Sequence, residues 1–344
     1  MIGIAVLGAG RIGKVHARNV ATSEGCRLVG VADPFGTAAQ DMASTYGCLA
    51  ERDPIALIRH DEVDAVIIGT PTDTHVALML EAARAGRAIL CEKPIDLDTR
   101  RATEAATEIA RLDGRVMVAF NRRFDPAVLA LRAAIDAGEI GDVRQVIITS
   151  RDPEPASLDY LRVSGGIFRD MTIHDFDLAR FLLGEEPIEV SAIASCLVDE
   201  RIAALGDSDS VMVNLRTASG RQCHINNCRQ AVYGYDQRIE VSGSTGMLLN
   251  DHLRATTVRR FTRERTEAQE PLLNFFLERY EQAYRRELEA FIGAVEGKTP
   301  IPIGLADGIQ ALRLADAATE SAATGRVVRV DVPSTTPKGG RSHG

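Results

Sequence analysis

The first thirty-three residues restrict this chain more than any other stretch. Ile2-Gly3-Ile4-Ala5-Val6-Leu7 is a short apolar run, the pattern of a strand buried on both faces. Gly8-Ala9-Gly10-Arg11-Ile12-Gly13 follows at once, and helical periodicity runs on from it to about Ser23. A GxGxxG string alone says little, but between a buried strand and a helix start it reads as a dinucleotide fingerprint. Gly8 permits the tight turn, Gly10 lets a pyrophosphate approach the backbone, and Gly13 lets the helix pack on the strand. The helix opened by Arg11 and Ile12 would hold the phosphates with its free N–H groups and dipole. Twenty residues past Gly13, after a strand over 27–32, stands Asp33. A carboxylate there accepts hydrogen bonds from an adenosine ribose and repels a 2′-phosphate. Pro34 brings no positive charge, so the expected cofactor is NAD. A solvated turn aspartate would leave the agreement of strand, glycines, helix and spacing without a cause.

The same alternation continues. Strand-like runs at 64–68, 88–91 and 116–120 are separated by helical segments at 37–46, 54–59, 75–85 and 98–112. Strands joined through helices predict a parallel sheet. After a helix over 126–137 the pattern changes. Runs at 143–150, 188–197, 209–216, 221–227, 237–243 and 247–250 follow one another across turns, which predicts a largely antiparallel sheet. Helices over 277–296 and 305–324 and a strand over 327–332 complete it. A chain of 344 residues fits two such cores. The expected fold is α/β: a Rossmann dinucleotide-binding domain over 1–121, then an α/β domain with a large, mainly antiparallel open sheet over 122–333. The polar tail over 334–344 is expected to be disordered.

Composition narrows the partners. A net charge of −8 and a pI near 5.5 argue against nucleic acid. No secretory signal is visible before Ile2, and no apolar run approaches the roughly 18 residues of a membrane span. Six scattered cysteines without a CxxC pair suggest reduced thiols and a cytoplasmic protein. Cys223, His224 and Cys228 have the residue types of zinc ligands, but no second pair follows at finger-like spacing. Cys223 and Ile225 alternate with polar neighbours as on a strand, so a structural role is preferred and no metal is expected.

Two more strand ends reach the sheet edge where open α/β folds bind ligands. Thr70-Pro71 leads to His75, which either contacts the cofactor or begins a helix. Glu92-Lys93-Pro94 leaves the next strand, and its lysine is either a solvated surface group or one set beside a nicotinamide.

Together with the fingerprint, these two segments resemble the glucose–fructose oxidoreductase, inositol dehydrogenase and MocA family. The resemblance spans nearly the whole chain. Phe120-Asn121-Arg122-Arg123-Phe124-Asp125 is similar to the family's domain junction, and the segment from Gly165 to Asp177 to the active-site stretch of inositol 2-dehydrogenases. Tyr233-Gly234-Tyr235-Asp236 and the helix with Tyr280 and Tyr284 resemble that subfamily too. The resemblance implies an NAD-dependent dehydrogenase that oxidises a secondary hydroxyl of an inositol, with an aldose or another polyol as the alternative substrate. A cofactor-sensing regulator of the same fold is a further alternative, against which the retained Lys93, Asp170 and His174 argue. These three are the implied catalytic residues. Thr70, Pro71, His75, Glu92 and Lys93 join the fingerprint and Asp33 at the cofactor, and Arg123, Asp152, Asp170, His174 and Tyr235 at the substrate. The implied Lys93–Pro94 bond is cis. The second-domain sheet is expected to pair copies into dimers or tetramers. Asp170 and His174 are four residues apart, so one helix would put them on one face, the carboxylate steadying the imidazole. Some inositol dehydrogenases carry His and Asn at the positions of Ser150 and Asp152, which leaves the preferred isomer open.

Overall fold

The computed structural model describes residues 1–331; the tail expected over 334–344 and the end of the strand expected over 327–332 lie outside the described residues. The first half builds a parallel sheet from β1 (Ile2–Leu7), β2 (Cys26–Ala32), β3 (Leu49–Glu51), β4 (Ala65–Ile68), β5 (Ala88–Glu92) and β6 (Val116–Ala119), in the order β3-β2-β1-β4-β5-β6. Ile4, Val6, Val66, Ile67, Ile89 and Leu90 in its middle strands are fully buried. Burial on both faces is why these strands read as unbroken apolar runs. Three-residue β3, at the edge, has no such run and was not expected. The chain winds outward from β1 to β3, then restarts with β4 on the other side of β1. That switch point brings Gly8 and Gly69 off the sheet side by side.

The second sheet contains β7 (Val143–Arg151), β8 (Pro187–Ser195), β9 (Ser210–Thr217), β10 (Gln222–Cys228), β11 (Asp236–Gly243) and β12 (Met247–Asn250). A small separate hairpin, β13 (Arg259–Arg260) with β14 (Ala268–Gln269), follows, and β15 (Val328–Arg329) joins the sheet edge. The order is β12-β11-β7-β10-β9-β8-β15, antiparallel except for the parallel pair β7 and β10. Inward Val146, Ile148, Val213, Leu215, Cys223 and Ile225 are buried beneath the helices Thr172–Leu183 and Leu305–Thr324. The outer face leaves Ile147, Ile193, Met212 and Leu249 exposed. Among the described residues no helix is long and apolar enough to cross a membrane.

Two regions depart from expectation. The helix expected over 277–296 breaks at Tyr280 into Phe276–Arg279 and Glu281–Val295. The break lets Arg279 reach the buried carboxylate of Asp125 while Tyr280 packs edge-on against Tyr235. The segment after β7 holds helices Leu158–Val163, Ile167–Asp170 and Thr172–Leu183, with Gly165 and Gly166 at φ of +83° and +84° turning the chain between the first two. The last helices return to the first sheet. Arg18 pairs with Glu281 across the seam with the first helix, Arg11–Ala21, and the Val118 N–H donates to Ile303 at the edge of β6.

Candidate active site

The glycine turn can be tested atom by atom. A Cβ on Gly8 would stand 2.6 Å from the carbonyl oxygen of Gly69, and one on Gly13 would stand 1.8 Å from that of Gly8. Both positions therefore need glycine for close packing. Gly10 is different: a Cβ there meets nothing within 4 Å, which leaves the backbone open to a ligand. Gly10 also caps the helix Arg11–Ala21 without any side-chain cap, so its first N–H groups stay available. Asp33 is half-buried and takes the Ala9 N–H at 2.7 Å and the Phe35 N–H at 2.9 Å. It is locked against the glycine turn. This cradle fits a dinucleotide: pyrophosphate over Gly10, ribose beside Asp33. Arg11 lies over the Phe275 ring at 5.9 Å, and Ile12 packs on the cluster of Tyr235, Tyr280 and Tyr284. The second half of the chain thus covers one flank of the cradle.

At the next two strand ends, the expected cofactor contacts prove partly internal. Thr70 Oγ1 pairs with Thr74 Oγ1 at 2.6 Å, and Thr74 Oγ1 donates to the Pro71 carbonyl at 2.7 Å. His75, expected at the cofactor, is buried, and both ring nitrogens face carbonyls, Nδ1 that of Pro94 and Nε2 that of Thr70, each at 2.9 Å. No nitrogen is left for a ligand, so His75 braces two loops instead. Glu92 turns its carboxylate to His16 of the first helix, whose Nε2 lies 2.8 Å from Oε1. His16 gave no signal in the sequence, because a buried helical histidine looks like core.

The Lys93–Pro94 bond is cis, and Lys93 points between the two sheets. Its Nζ donates to the backbone carbonyl of Asp170 at 2.7 Å and lies 4.0 Å from Asp170 Oδ1. The expected pairing of Asp170 with His174 does not form. Met171, at φ −101° and ψ −59°, separates their two helices. The Asp170 carboxylate instead accepts from Tyr160 Oη at 2.7 Å and from Arg229 Nη1 at 2.9 Å. His174 lies edge-on to Phe120, with Nδ1 buried and without a hydrogen-bond partner among the described residues. Burial holds the imidazole well below its ordinary pKa, and the cations of Lys93 and Arg122 push the same way. Burial also lowers Lys93, against the opposing pull of Asp170 and Glu92. These shifts favour a neutral imidazole and a lysine whose proton is less tightly held.

The substrate side needs one exchange. Arg123 was expected to meet substrate, but it forks onto Asp177 at 2.8 and 2.6 Å, reaches Asp307 at 3.0 Å and lies over Phe181. These two carboxylates hold it in a structural ion-pair network. Arg122, pointing the other way from the same turn, reaches Asp175 at 2.8 Å, Ser150 at 2.9 Å and Tyr235 Oη at 3.4 Å. Tyr235 is itself 5% exposed, so its ring is wall and only its hydroxyl is polar. Asp152 directly follows β7, and its carboxylate finds no hydrogen-bond donor among the described residues. Burial, and then the charge of Asp170, push it up to about 7. Arg229 directly follows β10, the parallel neighbour of β7, so one sheet edge presents both. The sheet is mainly antiparallel, as expected, and its one parallel pair is what brings these two residues to the same edge.

A family model described as an oxidoreductase family with an NAD-binding Rossmann fold matches residues 2–120, and the GFO/IDH/MocA C-terminal domain model matches residues 128–249. An inositol 2-dehydrogenase of Rhizobium meliloti (strain 1021) is 51% identical over 325 residues, covering 94% of this chain and 98% of that one. The crystal structure of a myo-inositol dehydrogenase from Corynebacterium glutamicum superposes with a TM-score of 0.92 at 46% identity, covering 97% of this chain and all of the other. A scyllo-inositol dehydrogenase from Lactobacillus casei, solved with bound NAD(H) and scyllo-inositol, superposes with a TM-score of 0.89 at 27% identity, over 96% and 99% of the two chains.

Proposed function

This chain belongs to the Gfo/Idh/MocA oxidoreductase family, and from that premise we propose that it oxidises a ring secondary hydroxyl of myo-inositol, or of a close isomer, to the inosose. It is an NAD-dependent dehydrogenase with a Rossmann cofactor domain. Bound NAD⁺ supplies the hydride acceptor. The chain's own residues do the rest. Lys93 donates a hydrogen bond to the reacting hydroxyl and stabilises negative charge as it develops on that oxygen. His174, neutral at ordinary pH, takes the hydroxyl proton. Asp170 holds Lys93 through its backbone carbonyl and carries the counter-charge. Asp152 and Tyr235 give the ring's remaining hydroxyls acceptors and a wall. The cleft lies between the cofactor domain, 1–121, and the substrate-binding domain, 122–333. The observation that carries this reading is the convergence of Lys93 with Asp170 and His174 at the sheet edge that also carries the glycine turn.

The reaction belongs at the entry to inositol catabolism, in the cytoplasm, in keeping with six free cysteines. NADH formation is followed against a panel of inositol isomers and common aldoses. Turnover of an inositol supports the reading; turnover of aldoses alone replaces it with a sugar dehydrogenase, and a chain that binds NAD without any turnover would be a sensor.

A further inference from the structure

We propose that Tyr160 is a positioning residue that keeps Lys93 free for substrate by occupying the carboxylate oxygen that would otherwise capture the ammonium. The assignment rests on Lys93 meeting the reacting hydroxyl, as proposed above. Tyr160 lies on the short helix Leu158–Val163, begun by Ser157, whose hydroxyl accepts the Tyr160 N–H. The residue is 48% exposed, yet its hydroxyl turns inward and donates to Asp170 Oδ1 at 2.7 Å.

That oxygen is the one Lys93 approaches. Nζ stands 4.0 Å from Oδ1 and spends one N–H on the backbone carbonyl of the same residue. The other carboxylate oxygen is taken by Arg229, itself 1% exposed and held by Asp207 at 3.3 Å. With Arg229 on one oxygen and Tyr160 on the other, Asp170 lowers the energy of a cation nearby without closing a contact pair. Removing the hydroxyl leaves Oδ1 without its donor, and a movement of about 1 Å would bring Nζ into direct contact at the usual charge-assisted distance. A lysine in a contact ion pair is a poorer donor to a substrate hydroxyl and holds its proton more tightly. The charged and titratable groups around Lys93 are Asp170, Glu92, Arg122, Asp152 and His174, with Arg229 on the far oxygen of Asp170; Tyr160→Phe removes none of these charges and takes only one hydrogen bond from Asp170. The direction of the tyrosine's own shift agrees: burial and the charge of Asp170 hold its proton on.

The test compares Tyr160→Phe with the wild type. The chain has four lysines, Lys14, Lys93, Lys298 and Lys338. In ¹³C-lysine-labelled full-length protein, with and without NAD⁺, the Lys93 signal is assigned from its loss in Lys93→Arg and titrated by NMR. The expected result is a higher Lys93 midpoint in Tyr160→Phe, about a tenfold lower kcat on the inositol substrate, and a KM for NAD⁺ changed by less than about twofold. An unchanged midpoint overturns the proposal. So does an unchanged kcat with only the polyol KM raised, since the tyrosine would then merely shape the cleft. The titration needs no substrate, so a wild type inactive on every inositol would remove the substrate reading and leave this arm to decide on its own.

Discussion

Asp33 and Asp152 are two carboxylates put to opposite uses by their surroundings. Asp33 spends both oxygens on the backbone N–H groups of Ala9 and Phe35, which fixes its charge beside the glycine turn. A 2′-phosphate brought within a few Å of that charge is opposed by about 1–4 kcal/mol at effective dielectrics between water and a protein surface. NAD⁺ should therefore be preferred over NADP⁺ by roughly ten- to a thousandfold in kcat/KM. Asp33→Ala should shrink that ratio while weakening NAD⁺ binding, because the turn loses two acceptors with the charge. A ratio unchanged in Asp33→Ala, measured by initial rates with each cofactor, would refute the role. Asp152 instead has a lone carboxylate poised at about 7. It is protonated below that value and a charged acceptor above it, so the polyol KM should fall as pH rises through 7. In Asp152→Asn the KM should lose this bend and resemble the low-pH wild type. His174, held well below its ordinary range, adds no bend of its own there. A bend that persists in Asp152→Asn would have to be reassigned.

Elements carry a different kind of constraint, visible in the helix Glu281–Val295. Tyr284 stacks edge-on with His16, and Ile292 packs by Gly25, so this helix runs alongside the first one. Between those contacts, Glu287 is fully buried, and neither carboxylate oxygen has a hydrogen-bond partner among the described residues. Burial, then the charge of Glu92, raise its pKa well above the ordinary 4.5. A raised acid pKa means that the folded chain holds a proton the unfolded chain releases. Stability is then untouched below about 4.5 and falls as pH rises above it, until the folded pKa is passed. Glu287→Gln, which mimics the protonated acid, should flatten that fall: Tm should drop between pH 5 and 8 in the wild type and drop less in the variant. Parallel Tm curves would show that Glu287 is not the group responsible. None of this was legible in the sequence, where Glu287 looks like one more charge on an amphipathic helix. What could be read were the features with local causes: the apolar runs of β1, β4 and β5, the glycines that admit no Cβ, and Asp33 at its spacing. What could not were those decided by distant partners. Arg122 and Arg123 are neighbours on one turn, and only the positions of Asp175 and Asp177 decide which one faces the cleft. Asp170 and His174 keep helical spacing, yet Met171 divides them because Asp170 is claimed by Tyr160 and Arg229.

For the whole molecule, the largest unassigned feature is the outer face of the second sheet. Its shallow concavity, about 460 Å³, is lined by residues such as Ile147, Asn214, Arg216 and His224 and lies away from Lys93. On this face Arg216 pairs with Glu189 and His224 shares a hydrogen bond with Asn214, while Ile193 and Met212 sit directly opposite each other on β8 and β9, 71% and 51% exposed. Strands of about eight residues, at about 3.3 Å rise and 4.8 Å spacing, give the face roughly 700 Å². That is close to the about 800 Å² per partner of a stable interface, and a flat, self-complementary surface suits a two-fold pair. We propose that copies of this chain meet through it, as a dimer or as the repeating contact of a tetramer. Ile193→Glu with Met212→Glu places four like charges within such a pair while leaving the buried side of each strand intact. By sedimentation equilibrium the variant should lose the assembly mass of the wild type, with circular dichroism unchanged. Asp170 and His174 stand on the helical side of the sheet, so the separated chains should keep most of their kcat. A wild type that sediments as a single chain, or a variant that keeps the parent mass, would rule this face out as the contact.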